Sequence, residues 1–183
     1  MNILGLDLST SCVGSAVVDE STHDLLAYQA TKLTSKKFER NLYKKSTKIS
    51  DVLSCLNHEH PFDRIFIEGA LKSFSGGKSS AQTLATAARF NGMISLLCFR
   101  MFGIEPELIE PKTARKLNGL RIPRGQKPKP IVFDYVVGKY PEIVVDYKTS
   151  GNTNEPRTYM YDIADAVIIA LAGINIYERG RNS

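Results

Sequence analysis

The sequence predicts an α/β fold in which a mixed five-stranded sheet carries helices on both faces. Short β-rich segments alternate with longer segments of helical periodicity, and the first three β-rich segments follow one another through short turns. The 183 residues can bury a sizeable core, so we expect one domain over residues 1–183. The content of 43% hydrophobic and 23% charged residues is typical of a globular protein.

The N-terminal segments predict a three-stranded antiparallel meander followed by a helix. Residues 2–8, 11–19 and 25–33 are short, largely apolar and separated by turns. Residues 36–57 then change to helical spacing, with an apolar stripe on one side and basic residues on the other. Ser35 is the expected N-cap of that helix.

The rest of the chain predicts two more strands and four helices. RIFIE at Arg64–Glu68 is short and β-rich, which indicates a buried central strand that ends in a carboxylate. After a Ser/Gly loop, a helix should run from Ser79 or Ser80 to about Arg100. The further expected elements are a strand at 104–110, a helix at Pro111–Leu117, a basic loop at 121–130, a helix at 131–139, a polar segment at 146–158 and an apolar helix at about 159–177.

Nothing in the sequence predicts export or a membrane span. No apolar run reaches the roughly 20 residues that cross a bilayer, and the N-terminus lacks the pattern of a signal peptide. Cys12, Cys55 and Cys98 form no CxxC pair and are expected to be reduced. We therefore expect a cytoplasmic protein, retained in the compartment where it is made.

The distribution of positive charge predicts a surface that binds a polyanion. The net charge is +5, and residues 32–48 carry seven basic side chains against one acidic side chain. Residues 111–130 carry seven more and no acidic one. A single run of this kind is typical of a solvated face, but two in a chain of this length favour a polyanion-binding surface.

Four carboxylates lie in apolar surroundings. Asp7 belongs to a strand of isoleucine and leucine, and Glu68 ends the segment RIFIE. Asp162 and Asp165 are three residues apart on the apolar final helix, hence on one face, with no basic residue among their immediate neighbours. Burying an unpaired carboxylate costs on the order of several kcal/mol, so these residues need compensation such as a bound cation.

The chemistry of these side chains favours a site for Mg²⁺, with Mn²⁺ as a substitute. Ligands that are all oxygen indicate these ions rather than zinc. Four carboxylates on different elements can hold two ions about 4 Å apart, and such a pair can activate water and stabilise the leaving oxygen in phosphodiester hydrolysis.

Each carboxylate also admits an ordinary structural role. Asp7 could begin a turn with Ser9 and Thr10, Glu68 could pair with Lys72, and the two aspartates could cap the last helix. The joint occurrence of all four beside apolar segments favours the metal site over four separate structural roles.

Three ordered motifs resemble the RuvC family of Holliday junction resolvases, within the RNase H-like superfamily. GLDLSTSCVGSAVVD resembles the opening strand, turn and second strand of that family, and IEGALKSF its acidic strand end and loop. SAQTLATAARFNGM resembles the long helix that follows, and DIADAVIIALA the closing D-x-x-D-A helix. The resemblance extends over essentially the whole chain in the right order.

This resemblance implies an RNase H-like fold and a homodimer whose two active sites nick DNA strands symmetrically, with two Mg²⁺ ions in each site. By motif, Asp7, Glu68, Asp162 and Asp165 take the catalytic metal-ligand positions. The helix over residues 81–93 would carry the dimer interface. Packing of the helix against the sheet of a monomer would use its small residues equally well. These are Ala81, Ala85, Ala87, Ala88 and Gly92.

The resemblance also implies contacts with branched DNA. An aromatic or apolar wedge is expected in the loop after Glu68, with Phe74 as the first candidate and Leu71 as the second. Phosphate-binding lysines are expected after the fifth strand, but the spacing there does not show which basic residue approaches the scissile phosphate. The candidate DNA-binding residues are Phe74, Lys78, Lys112, Arg115, Lys116, Arg121, Arg124, Lys127 and Lys129.

The expected function is a structure-selective DNA endonuclease that resolves four-way junctions by symmetric two-metal-ion hydrolysis, in DNA recombination, repair or replication. A related nuclease acting on DNA flaps or RNA–DNA hybrids is the nearest alternative, because the chemistry is shared. A catalytically silent nucleic-acid-binding module would gain nothing from four anions beside a phosphate backbone. An actin-like ATPase shares the opening motif but needs two such domains.

Overall fold

The computed structural model describes residues 1–34, 41–69, 81–149 and 155–181. These residues form five strands and five helices, which alternate as the sequence predicts. In chain order they are β1 (Asn2–Leu8), β2 (Cys12–Asp19), β3 (Leu25–Lys32), α1 (Leu42–Glu59), β4 (Arg64–Glu68), α2 (Ala81–Phe102), β5 (Glu107–Ile109), α3 (Pro111–Leu117), α4 (Pro128–Lys139) and α5 (Thr158–Arg181).

The five strands form one mixed sheet in the order β3-β2-β1-β4-β5. β1, β2 and β3 pair antiparallel through short turns, which confirms the predicted meander. β4 pairs parallel with both β1 and β5. Parallel neighbours need a crossover connection, and α1 and α2 supply the helices for the two crossovers. The predicted mixed five-stranded sheet is confirmed.

Alternation of side chains along the strands separates two apolar cores. Leu6 of β1 and Ile67 of β4 point to one face, where they pack with α1 and α2. Ile3 of β1 and Phe66 of β4 point to the other face, where they pack with α3, α4 and α5. Because successive residues of a strand face opposite sides, each strand of this central pair contributes to both cores.

α5 lies unusually close to the sheet because glycines remove side chains from the contact. A Cβ on Gly5 of β1 would lie 2.2 Å from the backbone carbonyl oxygen of Ala166. A Cβ on Gly173 of α5 would lie 2.2 Å from the ring of Phe66. By length and composition α5 could cross a membrane, but 67% of its most apolar window is buried inside the molecule. It is therefore the central core helix.

Two helices begin at residues other than those predicted from the sequence. α1 begins at Leu42 with Asn41 as its N-cap, because the Asn41 side chain accepts a hydrogen bond from the backbone N–H of Lys44 at 3.1 Å. The expected Ser35 cap is therefore wrong for this helix, and Ser35 itself lies outside the described residues. α4 begins at Pro128, inside the segment predicted as a loop, because proline fits the first helical turn.

The other boundaries differ by smaller amounts. β5 is only Glu107–Ile109, since it pairs with the last three residues of the short strand β4. α3 has the predicted bounds, whereas α5 extends beyond the predicted range at both ends. In the polar segment before α5, residues 150–154 lie outside the described part. Its described flanks are joined by a bridge between Tyr147 and Pro156.

Candidate active site

Asp7 and Glu68 are brought together by the parallel pairing of β1 and β4. Leu6 is paired with Ile67, so the two carboxylates come next on adjacent strands. Both continue the alternation that points Ile3 and Phe66 toward α5. Their carboxylates are close enough for the charge of Glu68 to raise the pKa of Asp7.

Asp162 and Asp165 reach the same edge of the sheet from the first turns of α5. A Cβ on Gly14 of β2 would lie 2.0 Å from the Asp162 carbonyl oxygen, so only glycine permits this approach. The Asp162 side chain is 13% exposed and that of Asp165 is 22% exposed. Both therefore lie in a largely desolvated environment beside Asp7.

Burial and neighbouring negative charge make Asp7 and Asp165 harder to ionise than usual. Burial raises the pKa of Asp7 well above its usual value, and the charges of Glu68, Asp165 and Asp162 raise it further. Burial also raises the pKa of Asp165 to about 6, although Lys129 acts in the opposite direction. The site therefore attracts cations and holds protons more tightly than isolated carboxylates do.

Lys129 supplies a cation to this site from the first turn of α4. Its Nζ lies 3.1 Å from Asp162 Oδ1 and 3.6 Å from Asp165 Oδ2. Burial alone would lower the pKa of Lys129, but the neighbouring carboxylates Asp162 and Asp165 raise it overall. From the sequence, Lys129 was predicted only as one of the DNA-binding residues. Pro128 and Pro130 could have indicated that Lys129 lies in the first turn of a helix, since prolines are tolerated there.

The donor chemistry of the site fits a hard divalent cation. All four acidic side chains offer oxygen, as Mg²⁺ and Mn²⁺ require. Within the described ranges, no three histidine, cysteine, aspartate or glutamate side chains stand together as a ready metal-binding group. Here Lys129 bridges the two aspartates, and the Asp7 carboxylate lies beside that of Glu68. An ion would have to displace the ammonium group and draw the carboxylates together.

Neighbouring polar groups give no support to the ordinary structural roles of the aspartates. The Ser9 hydroxyl donates to the Cys12 carbonyl at 2.7 Å and accepts from the Cys12 N–H, so it closes its own turn without Asp7. Asp165 lies inside α5, beyond the first turn that a cap would occupy. The Cys12 thiol is inert at neutral pH because burial, followed by the Asp162 charge, raises its pKa to about 12.

Other basic residues predicted to bind DNA surround a separate cavity. It has a volume of about 580 Å³ and lies between α3 and the loop that leads to α4. Its lining residues include four of the predicted set, namely Lys112, Arg115, Lys116 and Arg121. Lys127 is the N-cap residue of α4, and Arg124 lies in the turn before it. Phe74, Leu71 and Lys78 lie outside the described residues.

α2 exposes most of the small residues that the family resemblance assigned to a dimer interface. Ala81, Ala85, Ala88 and Gly92 are exposed, whereas Ala87 is half-buried. The stripe continues into two large apolar side chains, Leu96 at 58% exposure and Phe99 at 54%. A cavity of about 400 Å³ separates the N-terminal half of α2 from Asp7 and Glu68.

Comparison with known proteins shows the fold. By sequence, no protein-family model and no curated protein matches this chain. By structure, RuvC from Thermus thermophilus in complex with a Holliday junction substrate matches over 98% of this chain and 96% of its own, with a TM-score of 0.66 and 14% identity. A second T. thermophilus RuvC structure gives a TM-score of 0.65 at 19% identity, over 98% of this chain and 97% of its own.

A yeast mitochondrial Holliday junction resolvase is also similar, with a TM-score of 0.64 and 14% identity over 98% of this chain and 80% of its own. The chain therefore has the mixed-sheet fold of the RNase H-like class. Within that class, its fold is that of the RuvC-type resolvases, as the sequence motifs predicted.

Proposed function

We propose that this protein is a Mg²⁺-dependent endonuclease that cleaves four-way DNA junctions. The observation that carries the proposal is the convergence of Asp7, Glu68, Asp162 and Asp165 at one sheet edge, in a chain with the RuvC-type fold. Burial and mutual repulsion make this arrangement unfavourable for stability alone. A pair of divalent cations would offset that cost and turn the cluster into a hydrolytic site.

The four carboxylates would hold the metal ions, and the basic residues would hold the DNA. When bound, the ions would activate a water molecule and stabilise the leaving oxygen of a phosphodiester. Lys129, displaced from the two aspartates, would remain in position to bind the phosphate at the site. Lys112, Arg115 and Lys116 would bind backbone phosphates farther along a DNA arm.

Symmetric cleavage of a junction needs two active sites, and α2 offers a surface for a second copy of the chain. Its small residues allow close helix packing, and Leu96 and Phe99 add apolar area that a partner would bury. We therefore propose a homodimer formed through α2. We also propose that the chain acts as one nuclease domain in the cytoplasm.

The test is a comparison of four synthetic substrates: a four-way junction, a linear duplex, a flap and an RNA–DNA hybrid. We expect cleavage of the junction in MgCl₂ or MnCl₂ and none in excess chelator. Asp162→Asn and Asp165→Asn should lower the cleavage rate at least about a hundredfold while retaining junction binding. An exposed carboxylate far from the site, Asp51, provides the control as Asp51→Asn.

Other outcomes separate the alternatives. Preferential cleavage of the hybrid or the flap would show that the four-way junction is not the preferred substrate. The proposed metal-dependent chemistry would be retained. Cleavage that persists in chelator would exclude the metal-dependent mechanism. Binding without any cleavage, under every metal tested, would indicate a silent DNA-binding module.

A further inference from the structure

Asn91 is a buried polar residue on the face of α2 that points into the molecule. Its neighbours on this face are Phe90, Ile94 and Cys98, all of which belong to the apolar core. Asn91 is only 8% exposed. A primary amide in such a position is costly unless its groups are hydrogen bonded, so its partners indicate why it is there.

The amide of Asn91 connects α2 to the end of β4. Its Nδ2 donates a hydrogen bond to the backbone carbonyl oxygen of Glu68 at 3.0 Å. Its Oδ1 accepts a hydrogen bond from the Ser95 hydroxyl at 3.4 Å, one turn along the same helix. The second contact fixes which side of the amide faces Glu68, because the oxygen is already engaged.

The position of this hydrogen bond matters because Glu68 ends its strand. The pairing of β4 with β5 ends at Glu68 opposite Ile109, and the Gly69 N–H donates to the Ile109 carbonyl at 2.9 Å. The Asn91 bond holds the same stretch of backbone from the α2 side. The orientation of the Glu68 backbone determines where its carboxylate emerges beside Asp7, and Asn91 lines the cavity next to both acids.

We propose that Asn91 is a positioning residue that fixes the Glu68 carboxylate for metal binding. The inference rests on the proposed metal-dependent function and adds a residue that acts through Glu68 and not on the ion. Groups that orient metal ligands through hydrogen bonds change metal affinity by about 10–100-fold when they are removed. Asn91 holds Glu68 through the backbone carbonyl of Glu68. We therefore expect loss of the Asn91 amide to weaken metal binding within that range.

The experiment compares Asn91→Leu with Asn57→Leu. Leucine is close to asparagine in size and removes only the polar groups. Asn57 provides the control because its side chain also makes one hydrogen bond to a backbone group, accepting from the Phe62 N–H at 2.9 Å. That bond lies at the C-terminal end of α1, away from the carboxylates.

Two readouts are needed, and the first does not depend on catalysis. MnCl₂ binding is measured by calorimetry and by the rise in the melting temperature that the ion produces. The MnCl₂ concentration for half-maximal junction cleavage is the second readout. For Asn91→Leu we expect the Mn²⁺ dissociation constant and the half-maximal concentration to rise by about 10–100-fold. Junction binding in chelator should change less than about twofold, and Asn57→Leu should leave all metal readouts unchanged.

Equal Mn²⁺ affinity in wild type and Asn91→Leu would overturn the inference and leave the proposed nuclease intact. Absence of Mn²⁺ binding in the wild type would overturn both. If Asn91→Leu does not fold, Asn91→Ala serves as the second variant, because it removes the amide without adding a charge beside the acidic cluster. Normal Mn²⁺ affinity in Asn91→Ala would likewise contradict a positioning role.

Discussion

At the scale of single residues, the site combines a cluster of carboxylates with the ammonium group of Lys129. Asp7 and Asp165 are both harder to ionise than usual, chiefly because they are buried. Lys129 pairs with Asp162 and Asp165 and lowers the cost of keeping them charged. The protonation state of the site should therefore change within a pH range where ordinary aspartates are fully ionised.

This balance predicts an unusual pH dependence of stability in chelator. The pKa of Asp165 is raised from 3.8 to about 6, so the folded state binds the proton more tightly than the unfolded state. The stabilisation from that proton is complete below the unfolded pKa and is lost as pH rises through about 6. We expect the free energy of unfolding to fall by on the order of 1–3 kcal/mol between pH 4 and pH 7, at about 1.4 kcal/mol per pKa unit.

Urea denaturation at a series of pH values measures this effect. Asp165→Asn should reduce the fall without abolishing it, since the pKa of Asp7 is raised as well. Asp51→Asn, on the exposed face of α1, should leave the profile unchanged. A stability that rises over this pH range in wild type and is insensitive to Asp165→Asn would show that the carboxylates are well solvated.

The acidic residues of the site could be proposed from the sequence as a set, whereas Lys129 could not. Asp7 lies in an apolar strand, Glu68 ends another, and Asp162 and Asp165 lie in an apolar helix, so their joint occurrence is the signal. Lys129 is one of seven basic residues in residues 111–130, and its flanking prolines indicate a helix start but not a contact with the aspartates. Its place in the site depends on how α4 packs against α5, which is a long-range property.

At the scale of elements, the site depends on how closely α5 approaches the sheet. Gly5 and Gly14 allow the backbone of α5 to contact β1 and β2 directly. Because Gly14 lies against the carbonyl of Asp162, the same contact determines the distance of Asp162 and Asp165 from Asp7. Packing and chemistry are therefore determined by the same contact between β2 and α5.

Gly14→Ala should be strongly destabilising, because its new Cβ would lie 2.0 Å from the Asp162 carbonyl oxygen and backbone would have to move. We expect a loss of about 2–4 kcal/mol in the free energy of unfolding, as for other overpacked core positions. Gly138→Ala is the control. A Cβ at this position in α4 would meet open space among the described residues, and the substitution should raise stability by up to about 1 kcal/mol.

Thermal or urea denaturation distinguishes these two substitutions. Equal, small effects of Gly14→Ala and Gly138→Ala would mean that α5 can move away from β2 at little cost. In that case the spacing of the carboxylates would not depend on the glycine contact.

Helix and strand types were predictable from periodicity, but several boundaries were not. The start of α1 is fixed by the Asn41 side chain, and Ser35, six residues earlier, has the same capping chemistry. α4 begins at a proline that equally well suits a loop. Tertiary packing determines such helix boundaries, and local sequence patterns carry no information about it.

At the scale of the whole molecule, α2 carries an exposed apolar stripe next to the face that lines the site, and Ala85 and Ala88 belong to both. Asn91 contacts Glu68, and the next residue, Gly92, is exposed in the stripe that continues to Leu96 and Phe99. An apolar stripe of this extent on a helix is typical of a protein–protein interface. The mixed five-stranded sheet follows the predicted fold, whereas the extension of the stripe to Leu96 and Phe99 was not predicted.

We expect the double substitution Leu96→Glu with Phe99→Glu to convert a dimer into a monomer, because two charges would be buried in the interface. Sedimentation velocity would measure the change in mass. Val144→Glu is the control, since Val144 is 80% exposed and lies outside α2. A monomeric wild type, or a dimer that tolerates both glutamates, would exclude this surface as the interface.

The salt bridges of Lys129 with Asp162 and Asp165 balance part of the negative charge of the site without a bound metal ion. The Lys129 ammonium group already contacts both Asp162 and Asp165, so in the proposed function an incoming ion would have to displace it. A DNA phosphate would offer the displaced lysine a new partner. By thermodynamic linkage, bound DNA would then raise the affinity for the ion, and the bound ion would raise the affinity for DNA. In the proposed nuclease, this linkage would keep the metal site incomplete until DNA is bound.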